Sequence, residues 1–144
     1  MKIQALGHVV LKVRDLDRAQ AFYGDFLGMP LATRWEENRM CFFTLGNHHD
    51  FAIAEVGADA PQAPNNAPGL AHVAFKVGDT LDQLREVKAK LEGAGIKYRP
   101  TDHGVSQSLY FGDPDGNMVE LYVDTSDVWK DDPAKVAQIA PLQL

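Results

Sequence analysis

Two histidines recur at the same place in two similar segments, and they are the residues best placed to do chemistry. Gly7-His8-Val9-Val10-Leu11-Lys12-Val13 is echoed by Ala71-His72-Val73-Ala74-Phe75-Lys76-Val77, 64 positions later. In each copy the histidine opens an alternating apolar segment, an aspartate follows (Asp15, Asp79), and a helical pattern comes next. A duplication that repeats a histidine suggests two strands bringing two imidazoles to one centre. Glu120 is the third member. In the last alternating segment Val119, Leu121 and Val123 share one side, while Met118, Glu120 and Tyr122 share the other. A carboxylate on an otherwise apolar strand costs several kcal/mol unless it has a partner. His8, His72 and Glu120 together make a set of two imidazoles and one carboxylate. Such a set binds a divalent transition metal and leaves coordination positions open, as in non-haem Fe(II) enzymes that hold both substrate and dioxygen. A lone strand histidine is ordinarily a hydrogen-bonded core or surface residue; the duplication and the shared facing of His8 and His72 set these two apart.

The elements that must position this set repeat as well. Residues 3–13 alternate, with Val9, Leu11 and Val13 on one face and His8, Val10 and Lys12 on the other. Asp15 is an N-cap for a helix over about 16–28, closed by Gly28. Segments 30–37 and 40–45 read as a hairpin, and a further strand runs from His48 to Val56. In the second half a strand covers 70–77, and Thr80 caps a helix whose stripe is Leu81, Leu84, Val87 and Leu91. Strands follow near 96–99, 105–112 and 117–124, the last two joined by Gly112-Asp113-Pro114-Asp115-Gly116-Asn117. The expected fold is α+β: two tandem βαβββ modules forming a curled mixed sheet around a metal-binding cavity. Module one spans about 3–56, a Pro/Ala/Asn linker 57–68, module two about 69–124 and a C-terminal tail 125–144, the whole making one domain, 1–144. The tail holds a weak helical stretch near 133–139, expected to cover an edge or a neighbouring subunit, and its Trp129 either packs on a partner or closes the cavity.

The chain of 144 residues carries a formal charge of −6 and a pI near 5.2. That balance argues against nucleic acid, whose binding faces are basic. No apolar run approaches the ~20 residues that cross a bilayer, so no membrane partner is expected. Met1-Lys2 leads directly into an alternating pattern without a secretory signal, and Cys41 is the single cysteine. Both fit a cytoplasmic protein, with Cys41 packed in a core.

The chain is identified as resembling the vicinal oxygen chelate superfamily over residues 4–124. The resemblance rests on Gly7-His8-Val9 with Asp15, Phe22-Tyr23 and Leu27-Gly28, on Ala71-His72-Val73-Ala74-Phe75, and on Asp113-Pro114-Asp115-Gly116-Asn117 followed by Glu120-Leu121. It implies paired βαβββ modules, a metal on His8, His72 and Glu120, and a homodimer. The superfamily includes glyoxalase I, extradiol dioxygenases, epimerases and antibiotic-resistance proteins. Three segments resemble the type I extradiol ring-cleavage enzymes: His49-Asp50-Phe51-Ala52, Asp102-His103-Gly104-Val105-Ser106, and Tyr110 ten residues before Glu120. They imply His49 beside the bound oxygen and His103 and Tyr110 on the substrate oxygens. Each also has a plainer explanation, as a turn residue, a loop histidine and a core aromatic. His48 competes with His49 for the inward place; His49 is preferred because it would share a face with Phe51, Ile53 and Glu55. The implied activity is cleavage of a catecholic aromatic substrate with O2, the cofactor being Fe(II), or else Mn(II), Ni(II) or Zn(II). If Glu55 were a fourth ligand, glyoxalase I-like isomerisation would follow instead. A cup without a working metal would make a small-molecule binding protein.

Overall fold

Both helices start where a side chain can take up their first N–H groups. Asp15 is extended and accepts the Arg18 N–H, opening α1 (Leu16–Gln20). Thr80 and Gln83 form a reciprocal capping box that opens α2 (Leu81–Gly93). The computed structural model of the chain describes residues 1–64 and 66–144. One strand precedes each helix and three follow it. The first series is β1 (Val9–Val13), α1, β2 (Leu31–Trp35), β3 (Met40–Phe43) and β4 (Phe51–Glu55). The second is β5 (Val73–Gly78), α2, β6 (Tyr98–Asp102), β7 (Ser106–Gly112) and β8 (Met118–Asp124), with a short β9 (Ala140–Pro141) after it. The strand orders are β1-β4-β3-β2 and β5-β8-β7-β6-β9. β1 runs parallel to β4 and β5 parallel to β8, while the remaining pairs are antiparallel. The α+β class and the repeated βαβββ order are thus realised as two mixed sheets.

The backbone divides into two units, each described by itself: Met1–Gly69 with Asp113–Asp115, and Leu70–Gly112 with Gly116–Leu144. In the first unit Leu16, Ala19 and Tyr23 meet Phe43, Phe51 and Ile53, all fully buried. The Tyr23 hydroxyl donates to Asp113 Oδ2 at 2.8 Å, and Asp115 takes Arg14 and Arg18. In the second unit Leu84 and Leu91 of α2 pack with Leu109, Val119 and Val123. The alternation read for β8 therefore holds: its apolar side is buried and its other side carries Glu120.

Several expected boundaries move. β1 begins at Val9, where pairing to Phe51 begins, so residues 3–8 lie outside the sheet. The first helix is α-helical only to Gln20 and continues as a wider π turn over Ala21–Phe26. Its Leu27 N–H reaches back five residues to Phe22, and the adjacent Phe22 and Tyr23 within it are both buried. Gly28, at φ +81°, ends it as expected. β4 begins at Phe51 rather than near His48, because Asp50 accepts the Leu45 and Asn47 N–H groups and folds that stretch into a loop. β6 begins at Tyr98, since Ile96 N–H still bonds Leu91 at the exit of α2. The tail forms short 3₁₀ turns, Val128–Lys130 and Pro133–Val136, in place of one helical stretch. Its β9 covers the edge of β6.

Candidate active site

In the second unit the last sheet brings four of the singled-out side chains together. His72 stands one residue before β5, and the parallel register sets Ala74 beside Glu120. Glu120 is buried, and its Oε2 lies 3.0 Å from His72 Nε2. Its other oxygen accepts the hydroxyl of Ser108, which is fully buried on the neighbouring β7, at 2.5 Å. Tyr110, opposite Glu120 in the β7–β8 register, holds its hydroxyl 2.9 Å from His103 Nε2 and meets the His72 ring edge-on at 5.4 Å. Burial first, and then hydrogen bonding to Glu120 and its charge, pushes the Tyr110 phenol up to about 12, so at neutral pH it is a proton donor. His103 sits in the tight turn after β6, where Gly104 takes φ +77° and Asp102 accepts the Gly104 N–H at 2.7 Å. The far ring nitrogen of His103, Nδ1, lies 2.9 Å from the Gln138 carbonyl oxygen. A cavity of about 510 Å³ opens here, bounded by Glu120, Tyr110, His103 and Tyr122 and, from the tail, by Trp129 and Val136.

The 3.0 Å between His72 Nε2 and Glu120 Oε2 is that of a direct imidazole–carboxylate hydrogen bond, and it also matches two ligands of one metal ion. Two neighbouring ligands with bonds of ~2.1 Å to one ion stand about 3 Å apart, and 3.0 Å is observed. An imidazole nitrogen and a carboxylate oxygen are the donors that non-haem iron takes. Ser108 on the second oxygen orients the carboxylate, as partners of metal ligands do.

In the first unit His8 stands one residue before β1, repeating the place of His72 before β5. His48 and His49 lie in the loop ahead of β4. The ligand atoms of His8, His48 and His49 all fall within 4.8 Å of one another, a second set of donors able to hold an ion. The His49 ring packs 4.2 Å from that of His8 and edge-on to Phe42. Burial, then the positive charge of His8 and His48, pulls His49 below the usual histidine range. The facing expected for His49 is corrected: it precedes the strand, and Phe51 and Ile53 pack in the fully buried core with the helix. His49 instead joins Phe42, whose register partner is Ala52.

Glu55 is committed elsewhere. Its oxygens take the Arg39 guanidinium at 2.9 and 3.0 Å, and one also takes the Leu16 N–H at 2.7 Å. The Arg39 hydrogen bonds hold its carboxyl below the usual range. Register gives an independent reason. Val10 pairs with Ala52 as Ala74 pairs with Glu120, so the first module carries an alanine where the second carries its carboxylate. Ser108 and the Gln138 carbonyl were not identified as site groups from sequence. Ser108 was signalled by sharing a strand face with Tyr110; a backbone carbonyl leaves no sequence signal.

A family model described as Glyoxalase/Bleomycin resistance protein/Dioxygenase superfamily matches residues 5–121. Biphenyl-2,3-diol 1,2-dioxygenase 3 of Rhodococcus globerulus is 39% identical over 125 residues, covering 83% of this chain and 63% of that protein. The chain therefore spans less than two thirds of that relative's length. Glutathione transferase FosA of Serratia marcescens is 31% identical over 122 residues, covering 84% of this chain and 82% of that one. The crystal structure of a glyoxylase/bleomycin resistance protein/dioxygenase domain from Frankia sp. EAN1pec superposes with a TM-score of 0.70 at 24% identity, covering 85% of this chain and 99% of that chain. With both βαβββ series present and the family pattern running through them, the chain belongs to the glyoxalase/bleomycin resistance/dioxygenase superfamily.

Proposed function

We propose that the protein is a metal-dependent extradiol-type dioxygenase that opens a catecholic ring with O2. One observation carries this: the His72–Glu120 pair and the Tyr110–His103 pair border one another, with Glu120, Tyr110 and His103 lining one cavity. His72 and Glu120 would hold the metal, Fe(II) on this account, with His8 the third ligand that the resemblance implies. A bound divalent iron supplies Lewis acidity toward a catechol and redox chemistry toward dioxygen. The protein's own groups do the rest. The neutral Tyr110 phenol accepts a hydrogen bond from a substrate hydroxyl, and His103 accepts a proton through it. Trp129 and Val136 give the ring an apolar wall. The resemblance implies His49 beside the bound oxygen, where its ring would donate a hydrogen bond. The relatives that are dioxygenases of biphenyl-2,3-diol and catechol support this substrate class.

Isomerase chemistry of the lactoylglutathione lyase kind, which other relatives carry, would need a fourth protein ligand. Glu55 is bound to Arg39, and Ala52 fills the place equivalent to Glu120. We propose further that residues 1–144 work as one domain and that two chains form a homodimer, which light scattering tests. The activity is tested by anaerobic reconstitution with Fe(II), followed by a catechol panel read by oxygen uptake. Coloured ring-cleavage products and uptake in step with substrate are expected. Absence of both with every catechol, in protein shown to hold iron, refutes the proposal.

A further inference from the structure

The segment after β8 does more than cover an edge. We propose that its Gln138 carbonyl fixes the tautomer of His103 and thereby sets the direction of the Tyr110–His103 hydrogen bond. A carbonyl oxygen can only accept, so the 2.9 Å contact to Nδ1 requires the proton to be on Nδ1. A neutral imidazole has one N–H, which leaves Nε2 bare. The hydrogen in the 2.9 Å contact between Nε2 and the Tyr110 hydroxyl must then be the phenol's. Glu120 also lies within hydrogen-bond reach of this phenol, and a bare Nε2 is what lets its one proton point at His103 instead.

The seat for this carbonyl is built into the turn. β9 pairs with β6 through Asp102–Ala140 and Thr101–Pro141, immediately before His103. Gly104 is left-handed at φ +77°, a conformation in which any side chain would strain the turn that faces Gln138. Asp102 pins the turn by accepting both the Gly104 N–H and the Gln107 amide. The same segment supplies Trp129 and Val136 to the cavity wall.

In the terms of the proposed function, on which this consequence rests, the arrangement is a one-way proton relay. A catechol hydroxyl passes its proton to the Tyr110 oxygen as Tyr110 passes its own to His103 Nε2. The substrate O–H and the tyrosine O–H break, a new tyrosine O–H and an Nε2–H form, and the products are a catecholate oxygen and an imidazolium. The Gln138 carbonyl continues to accept from Nδ1 throughout. In the opposite tautomer Nε2 already carries its proton, and the relay has no acceptor.

The test reads the tautomer directly, without activity. In metal-free, ¹⁵N-histidine-labelled protein of residues 1–144, His103 is assigned by the signal that His103→Gln removes, at a pH where the ring is neutral. The expected pattern is a protonated Nδ1 and a bare Nε2. Removal of Gln138–Leu144, or Gly104→Ala, is expected to move His103 to the Nε2–H form or a mixture. Gln138→Ala keeps the carbonyl and retains the wild-type signals. An Nε2–H pattern in the untruncated chain, or an unchanged Nδ1–H pattern in both the truncation and Gly104→Ala, overturns the proposal; if the truncation does not fold, Gly104→Ala decides. Should the wild-type protein take up oxygen with a catechol, the truncated form is expected to lose about 100-fold in kcat. Should it not, the nitrogen signals still stand, and only the dioxygenase proposal fails.

Discussion

Ser108→Ala removes the hydroxyl that grips Glu120 and also reaches Tyr110. Ser108 is fully buried, and its hydroxyl donates to Glu120 Oε1 while Oε2 faces His72. Alanine removes the hydroxyl without adding bulk, and the fully buried position leaves water no easy substitute. A hydrogen bond to a charged group is worth about 1.5–3 kcal/mol. Loss of a partner of a metal ligand lowers metal affinity roughly 10–100-fold, which is about 1.4–2.7 kcal/mol. The two ranges overlap near 2 kcal/mol, so a loss of about 30-fold is expected. The assay is a chelator-competition titration with Fe(II) under anaerobic conditions, or with Mn(II) in its place. Ser106→Ala is the control, because Ser106 lines the same cavity without a hydrogen bond to Glu120 among those described. A change below about threefold, or equal losses in the two variants, would refute Ser108 as the group that holds the carboxylate.

Other expectations follow from the same contacts. Glu55→Gln leaves metal affinity within about twofold by the same titration and lowers the thermal midpoint, since it weakens the Arg39 pair and the start of α1. A large loss of metal would return Glu55 to the ligand set. Cys41 is fully buried, and burial pushes its thiol up. A disulfide reagent is therefore expected to react with the native protein only on unfolding, and rapid modification would contradict the packing. In metal-free protein, Tyr110→Phe is expected to remove absorbance that titrates near pH 12, because the phenol is raised from 10.0. The raised value makes Tyr110 favour folding fully below pH 10 and progressively less as pH climbs through 12. A phenol signal lost near pH 10 instead would contradict it.

Much of the second module was legible because its signals are periodic and local. The alternation Val119, Leu121, Val123 against Glu120 placed the carboxylate on the correct side of β8, and the Thr80 capping box placed α2. Resemblance singled out Tyr110 and His103 as groups for the substrate oxygens; that they are hydrogen-bonded to each other was not read from the sequence. His49 was assigned by strand alternation and lies outside the strand, because Asp50 turns the chain with its side chain, an interaction that periodicity does not register. Glu55 stayed ambiguous for a similar reason: its partners Arg39 and Leu16 are fixed by folding. The register that gives Ala52 the place of Glu120 appears only when the parallel strands are paired. Trp129 of the tail could be singled out as an exposed aromatic, whereas the tail's contact with His103 rests on a backbone carbonyl, which every residue has.

The central claim is that His72 and Glu120 hold a metal. Its most direct test is elemental analysis of protein purified without oxygen, for the wild type, His72→Ala, Glu120→Ala and His48→Ala. The account predicts about one metal ion per chain in the wild type and in His48→Ala, and little in the other two. Full metal in His72→Ala and Glu120→Ala, or a loss confined to His48→Ala, would contradict it and move the ion to the histidines of the first module.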